Sequence, residues 1–196
     1  MQYLAKLGNQ PLKFYYNTKV YSPQYSSLDP VWLADKLIKD GEMPKARVLD
    51  VGCGAGVLGL SLKSLQPETE VMLTDLDPEA VRITRLNAKR LGLEAGVYQT
   101  NLLPPLGNWQ IILTNLPTYN AKQMVEEPLY GPETAYNGGG DGLHLYEELF
   151  KQARGRCKAL VCECQTARQR RFLQLAETYG YTLLLKTKYG FAFLAP

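Results

Sequence analysis

A glycine-rich turn between a short apolar strand and an apolar helix is the feature that most constrains this fold. The turn reads Gly52-Cys53-Gly54-Ala55-Gly56 and follows directly on the segment Arg47–Val51. Alternate glycines let the backbone bend through conformations closed to other residues and bring bare peptide N–H groups to the start of the next helix. The turn therefore predicts a nucleotide-binding site. Since Gly54, Gly56 and Gly59 also have the dinucleotide spacing, the glycines alone do not distinguish a nicotinamide cofactor from S-adenosylmethionine.

From Ala46 onward, segments with the periodicity of strands and of helices alternate along the chain. This alternation is the pattern of a doubly wound α/β fold with a mostly parallel sheet. The last two strands are separated only by Lys188-Tyr189-Gly190, which predicts a closing antiparallel hairpin and seven strands in all. The predicted strands cover residues 47–51, 70–74, 96–99, 110–114, 158–163, 181–187 and 191–194, and the predicted helices cover 57–65, 78–91, 143–153 and 167–179.

The composition is that of a soluble globular protein, with 45% hydrophobic and 21% charged residues among 196. We expect a single domain, in which residues 1–45 form an N-terminal hairpin or flap and a helix, and residues 46–196 form the Rossmann-like core. A net charge of +3 does not indicate a nucleic-acid binder. Since the sequence shows no signal peptide and no run of about 18 apolar residues, we expect a cytoplasmic location. The four cysteines and one histidine lack zinc-site spacing, so no metal is predicted.

The N-terminal segment leaves two interpretations open. Tyr15, Tyr16, Tyr21 and Tyr25 stand among polar residues there. They predict either a flap over a ligand or an edge hairpin packed on the domain. Asp29-Pro30 then predicts the N-cap and first turn of a helix that runs to about residue 40.

A carboxylate stands where the second strand of the core ends. In such folds a carboxylate at this position accepts hydrogen bonds from the two hydroxyls of the cofactor ribose. Asp75 is the first candidate, and Asp77 competes with it. Because Asp77 precedes Pro78, it has the position of a helix N-cap, and we assign the ribose to Asp75.

The fourth strand leads into the segment Asn115-Leu116-Pro117-Thr118-Tyr119. The ligand crevice of an open α/β sheet lies beyond the carboxyl ends of its strands, so this is the expected catalytic position. The segment from Asn115 to Asp141 has little periodicity and is too long for an idle connection. It predicts a substrate-binding loop.

Three of these features resemble the class I, S-adenosylmethionine-dependent methyltransferases. The first is Asp50, two residues before the first glycine, a carboxylate that in this family helps to position the methionine part of the cofactor. The second is the closing hairpin. The third is Asn115 with Pro117, which resembles the Asn-Pro-Pro-Tyr motif of enzymes that methylate amide or exocyclic amine nitrogens. Here Leu116 replaces the first proline, Thr118 stands at the aromatic position, and Tyr119 follows one place later.

The resemblance implies roles for individual residues. Asn115 and the Leu116 carbonyl would accept the two hydrogens of a poorly nucleophilic nitrogen and aim its lone pair at the methyl group. Pro117 and Tyr119 complete the implied catalytic set, and Asn101 would accept from the adenine amine. The residues predicted to bind the cofactor are Asp50, Gly52, Cys53, Gly54, Gly56, Asp75, Leu76, Asn101, Leu102 and Asn115.

A later segment narrows the resemblance. Gly138-Gly139-Gly140-Asp141-Gly142-Leu143, with Tyr146 after it, is similar to the segment that follows the catalytic motif in the HemK/PrmC family. That family methylates the glutamine of the Gly-Gly-Gln motif in peptide release factors. Leu160-Val161-Cys162-Glu163, followed by Gln165, resembles its fifth strand. The resemblance covers the family's catalytic domain and implies protein glutamine methylation, with a release factor as partner.

Three other functions stay open on the sequence. An RNA or DNA methyltransferase acting on an exocyclic amine would use the same Asn and aromatic residues. The altered motif also suits a paralogue that binds S-adenosylmethionine without turning it over. A nicotinamide oxidoreductase would use the same glycines, but we identify no catalytic Tyr–Lys or His arrangement for it.

Overall fold

A seven-stranded sheet forms the centre of the fold, and a two-stranded hairpin precedes it. The computed structural model describes residues 1–7, 10–23, 28–41 and 45–196. The strands are β1 (Gln2–Leu7), β2 (Gln10–Tyr15), β3 (Arg47–Val51), β4 (Glu70–Asp75), β5 (Gly96–Gln99), β6 (Trp109–Thr114), β7 (Cys157–Glu163), β8 (Thr182–Lys186) and β9 (Gly190–Leu194). The helices are α1 (Asp29–Lys39), α2 (Val57–Leu65), α3 (Pro78–Leu91), α4 (Ala121–Glu126), α5 (His144–Ala153) and α6 (Gln169–Thr178).

The predicted doubly wound sheet with a closing hairpin is confirmed. Its strand order is β5-β4-β3-β6-β7-β9-β8, and all neighbours from β5 to β7 are parallel. β9 runs antiparallel to both β7 and β8, so β8 keeps the direction of the parallel strands. The chain reverses its order between β3 and β6. This is the switch point at which open α/β sheets bind ligands.

Both faces of the sheet are covered by helices. Successive side chains of a strand point to opposite faces. On β3, Val48 packs in a cluster with residues of α1, α2 and α3, whereas Leu49 packs with residues of α5 and α6. Burial on both faces explains why the central strands are almost continuously apolar. No helix in the described part of the chain is long and apolar enough to cross a membrane.

The N-terminal hairpin packs against α2 and α3 on one side of the core. β1 and β2 pair antiparallel, and Ala5 and Phe14 are buried in the same cluster as α2 and α3. The structure therefore supports the packed-hairpin interpretation for these strands. Tyr21, which follows the hairpin, lines a cavity at the carboxyl ends of the central strands. Tyr25 lies outside the described residues.

The prediction that Asp29 caps α1 is wrong. The N-cap is Leu28, and Asp29 is the first residue of the helix. Its Oδ2 accepts instead from Thr187 Oγ1 at 2.6 Å and from the Tyr189 backbone N–H at 3.2 Å. The turn between β8 and β9 offers two donors to one carboxylate, so Asp29 ties α1 to that turn.

Asn87 on α3 joins the hairpin to the glycine turn. Its buried Oδ1 accepts from the Tyr15 backbone N–H at 2.8 Å. Its Nδ2 donates to the carbonyls of Tyr15 at 2.9 Å and Ala55 at 2.8 Å. One side-chain amide thus satisfies backbone groups of two segments that are distant in sequence.

Replacing Asn87 by alanine is expected to lower the free energy of unfolding by about 2–4 kcal/mol, because buried backbone groups lose their partners. Denaturant titration measures this as a lower midpoint. The matched control is Asn108→Ala at an exposed position, which should change stability by less than about 0.5 kcal/mol. Equal effects of the two variants would contradict the assignment of Asn87.

Candidate functional site

A cavity of about 640 Å³ opens at the carboxyl ends of β3, β4, β6 and β7. Its volume lies within the range of about 300–1,000 Å³ that is usual for small-molecule sites. It lies beside the switch point of the sheet. The structure brings nearly all of the predicted site residues together around this cavity. The lining includes Gly52, Cys53, Gly54, Asp75, Leu76, Asn101, Leu102, Asn115, Pro117 and Tyr119. Asp50 and Gly56 are not among the lining residues.

The turn after β3 has the backbone conformation that its glycines predict. Gly52, Gly54 and Gly56 have φ values of 68°, 56° and 81°. This left-handed region is strained for residues with a Cβ. At Gly56 a Cβ would also stand 2.9 Å from Leu60 Cδ1 and 3.0 Å from Thr84 Cγ2. The turn consequently brings the N-terminus of α2 close against α3.

Side chains outside the turn hold it in place. Asp75 Oδ2 accepts from the Gly54 N–H at 2.8 Å, and Thr84 Oγ1 donates to the Gly54 carbonyl at 2.8 Å. Asn87 holds the neighbouring Ala55 carbonyl in the same way. In the sequence, Thr84 and Asn87 carry no signal of this role, because each lies at an ordinary position of a helix.

The carboxylates of Asp75, the last residue of β4, and of Asp77 both line the cavity but have different partners. Besides Gly54, Asp75 accepts with Oδ1 from the Asp77 N–H at 2.9 Å. Burial raises the pKa of Asp75. Asp77 accepts from the Glu79 N–H at 2.8 Å and caps α3, as predicted. Since each carboxylate oxygen has two lone pairs, Asp75 retains acceptor capacity for a ligand.

Two leucines lie on the same side of the cavity as Asp75. Leu76 is 65% exposed and lines the cavity. Leu102 is buried and has a φ of 56°, a conformation uncommon for residues other than glycine. Thr74 Oγ1 donates to the Leu102 carbonyl at 3.1 Å and stabilises this backbone. Such strain at a cavity wall is typical of functional sites.

Asp50 lies beneath the turn and is fully buried. Its Oδ2 accepts from the Gly59 N–H at 2.8 Å, whereas Oδ1 has no hydrogen-bond partner among the described residues. Burial, reinforced by the neighbouring Asp75 charge, raises the pKa of Asp50 to about 7, although the Gly59 hydrogen bond opposes the shift. The carboxyl group is therefore partly protonated near neutral pH.

Asn115 and Glu163 form the opposite end of the site. The Asn115 Nδ2 donates to Glu163 Oε2 at 3.0 Å. The buried Tyr146 hydroxyl accepts from the Leu116 N–H at 3.2 Å and donates to the Glu163 carbonyl at 2.5 Å. Sequence reasoning placed Tyr146 and Glu163 in the family resemblance without giving either a role. No local pattern indicates that a helix residue joins two strand ends.

Three tyrosines from separate segments meet beside Asn115. The Tyr136 ring centroid lies 5.4 Å from that of Tyr21 and 5.3 Å from that of Tyr119. Thr118, which occupies the aromatic position of the motif, is only 7% exposed, and Tyr119 is half-buried. All four residues line the cavity. An aromatic wall is thus present although the motif itself is altered.

The segment from Asn115 to Asp141 contains α4, a short helix that the sequence did not predict. Asn120 and Gln123 form a capping box at its start. The buried Arg168 donates to the Gln123 side-chain oxygen, to the Asp141 carbonyl at 3.3 Å and to Gln165 Oε1 at 3.2 Å. One guanidinium therefore joins α4 and the end of the segment to the region after β7.

Residues 12–132 match the family model of the methyltransferase small domain. This match spans more than half of the chain. The chain belongs to the methyltransferase small domain family, which confirms the predicted class of protein.

Curated relatives with two kinds of substrate are similar to this chain. It is 37% identical over 127 residues to a release factor glutamine methyltransferase of Deinococcus radiodurans, covering 62% of this chain and 46% of the relative. It is 36% identical over 110 residues to a ribosomal RNA small subunit methyltransferase C of Enterobacter sp., covering 54% of this chain and 32% of the relative. The matches span less than half of the length of either relative.

Solved methyltransferases share the fold at low identity. A 16S rRNA methyltransferase of T. thermophilus, in complex with AdoMet and guanosine, superposes with a TM-score of 0.73 at 17% identity, covering 100% of this chain and 50% of that chain. A methyltransferase of Pyrococcus furiosus gives a TM-score of 0.70 at 16% identity, covering 93% and 88%. These likenesses confirm the predicted Rossmann-like methyltransferase fold.

The buried Asp50 carboxyl makes stability depend on pH. Its pKa is higher in the folded protein than in the unfolded chain, so the folded state binds more protons from about pH 4 to about pH 7. Its contribution to the free energy of unfolding therefore falls as pH rises through this window, by up to about 1.4 kcal/mol per pH unit. We expect Asp50→Asn to become more stable relative to wild type across the window, with no further change above about pH 7. Denaturant titrations of both proteins at several pH values measure the difference, and a pH-independent difference would disprove the assignment.

Proposed function

We propose that this chain is an S-adenosylmethionine-dependent N-methyltransferase that acts on a planar amide nitrogen, namely the side-chain amide of a protein glutamine. The observation that carries this proposal is the hydrogen bond by which Glu163 holds the Asn115 side chain at the cavity wall. Pro117 and Tyr119 line the same cavity. Family membership supports methyl transfer as the reaction class. The AdoMet in the T. thermophilus neighbour supports the cofactor.

The cavity suits the cofactor in size and chemistry. Asp75 accepts from the ribose hydroxyls, Asn101 accepts from the adenine amine, and Leu76 and Leu102 supply apolar contact. At Gly52 a Cβ would stand 3.0 Å from Leu116 Cδ2. Because Gly52 has no side chain, the part of the cavity beside Asp75 stays connected to the part beside Asn115. When bound, the cofactor supplies a methyl group activated by a sulfonium. We assign to Asp50 an indirect role through the turn that it supports, because its carboxylate is not at the cavity wall.

The residues at the opposite end orient the methyl acceptor. An amide nitrogen is a weak nucleophile because its lone pair is delocalised. Asn115 Oδ1 and the Leu116 carbonyl accept its two hydrogens and hold the lone pair in the direction of transfer. Tyr119 and Tyr136 cover the planar group and exclude water. No general base is needed before transfer, since the methylated nitrogen becomes acidic and releases its proton through the Asn115 contact or to water.

A protein acceptor is favoured over a nucleic acid by two observations. The relatives that modify release factor glutamine reach 37% identity over 62% of this chain, and the net charge of +3 provides little general attraction for phosphates. Methylation of an exocyclic amine in RNA is the second candidate. It is favoured by the 36% identity to the ribosomal RNA enzyme and by the tyrosine cluster, which offers faces on which a base can stack.

The cofactor assignment predicts unequal effects of two neighbouring carboxylates. Asp75→Ala should weaken S-adenosylmethionine binding by roughly tenfold to a hundredfold, because the ribose hydroxyls lose their acceptor. Asp77→Ala, its matched control, should leave that affinity nearly unchanged and cost about 1 kcal/mol of stability as a lost helix cap. Asp75→Ala also lowers stability, because the Gly54 and Asp77 N–H groups lose their acceptor, so the loss of affinity is the effect that distinguishes the two variants. Titration calorimetry and thermal unfolding separate the two effects. A larger loss of affinity in Asp77→Ala would reverse the assignment, and tight binding of NAD in place of S-adenosylmethionine would overturn the cofactor.

The catalytic assignment predicts that Asn115→Ala lowers turnover by about a hundredfold or more while cofactor affinity changes little. The lost hydrogen bond acts mainly on the acceptor in the transition state. Tyr119→Ala should raise the Michaelis constant of the acceptor, and Thr118→Ala should have a smaller effect. Transfer of a radiolabelled methyl group to release factor, to a variant lacking its glutamine, and to ribosomal RNA measures activity and acceptor class together. Binding of S-adenosylmethionine without transfer to any of them would identify the chain as a non-catalytic relative.

A further inference from the structure

We propose that Glu163 is a positioning residue that fixes the rotation of the Asn115 side-chain amide. It thereby decides which atom of that amide faces the methyl acceptor. This inference rests on the proposed function and adds a residue to it. The contact that carries it is the hydrogen bond from Asn115 Nδ2 to Glu163 Oε2 at 3.0 Å, between two residues that line the same cavity.

An asparagine amide has two ends of similar size and opposite hydrogen-bonding character. Its NH2 group donates and its oxygen accepts. A half-turn about the last side-chain bond exchanges these ends with little change in packing. Only one rotation of Asn115 suits an acceptor that itself presents N–H groups. Because a carboxylate accepts and does not donate, Glu163 is satisfied by the rotation that leaves Oδ1 for the methyl acceptor.

The backbone holds the two side chains in register. Thr114 of β6 pairs with Cys162 of β7, so Asn115 and Glu163 are the next residues along two adjacent parallel strands. The Tyr146 hydroxyl bridges the same strand ends through the Leu116 N–H and the Glu163 carbonyl. Glu163 is only 8% exposed. Its carboxylate is therefore placed by the sheet and by α5.

The proposal is tested by exchanging the amide at position 115 and the carboxylate at position 163. In Asn115→Asp, two carboxylates face each other and hold a shared proton, since like charges in contact do not both ionise. The kcat of Asn115→Asp should fall by at least about tenfold as pH rises and that proton is lost, because the like charge raises the pKa of the pair. In the double variant Asn115→Asp/Glu163→Gln, the introduced amide donates to the introduced carboxylate, whose other oxygen faces the acceptor. We expect kcat to recover at high pH and to lose this pH dependence.

The outcome separates positioning from support of the fold. Glu177→Gln, at an exposed position on α6, is the control and should leave kcat unchanged. Non-additive effects at positions 115 and 163 are the expected result. A double variant no more active than Asn115→Asp, or effects that simply add, would overturn the proposal. Complete loss of turnover in Glu163→Gln without recovery in the double variant would instead make Glu163 a proton acceptor.

A second measurement needs neither cofactor nor acceptor. In the wild-type protein, one side-chain amide hydrogen of Asn115 should exchange with solvent at least about tenfold more slowly than the other, as NMR can record. The signals are assigned by their disappearance in Asn115→Asp. Glu163→Met should remove the protection while the protein remains folded by circular dichroism. Equal exchange of both hydrogens in wild type would overturn the inference even if methyl transfer is observed. Protection without any transfer would leave the inference standing and reject the proposed function.

Discussion

The parallel pairing of β3 with β4 and β6 is the constraint on which the rest of the structure depends. Val51 is opposite Thr74 on one side and Thr114 on the other. Because parallel strands end at the same edge of a sheet, this register brings the glycine turn, Asp75 and Asn115 to one place. Thr114 Oγ1 reinforces the register by donating to the Val51 carbonyl at 2.7 Å. The cavity follows from the order of the strands and the alignment of their ends.

Buried polar groups then convert this arrangement into a defined site. Thr84 and Asn87 reach from α3 to the carbonyls of the glycine turn, and Asp75 reaches to its Gly54 N–H. At the opposite end of the cavity, Tyr146 joins the ends of β6 and β7. Each contact satisfies a backbone group that would be costly to leave unpaired. The same low-dielectric environment penalises the Asp50 carboxylate, whose pKa is raised by its burial and by the neighbouring Asp75 charge.

Much of the fold, and which residues line the cavity beside the glycine turn, could be predicted from the sequence because their signals are local. The start of α3 follows from Asp77-Pro78, and the structure has the predicted helix from Pro78 to Leu91. A local sequence pattern gave a wrong prediction where a partner far away in the chain binds the same side-chain oxygen. Asp29 before Pro30 has the pattern of a cap, yet its carboxylate binds the turn after β8, more than 150 residues away. The short helix α4 was missed because no residue of it is buried, so it carries no hydrophobic period.

The sequence by itself determined the strands and the longer helices of the core, their order, the glycine turn and the polar residues at the strand ends, because each of these is set by periodicity or by backbone conformation within a few residues. The tertiary structure alone decided which side chains hold those residues. Glu163 against Asn115, Tyr146 between the strand ends, and the meeting of Tyr21 with Tyr136 all join segments far apart in the chain. The physical reason is that hydrogen bonds and ring contacts depend on distances in space, which the register of the sheet sets and the spacing of residues along the chain does not.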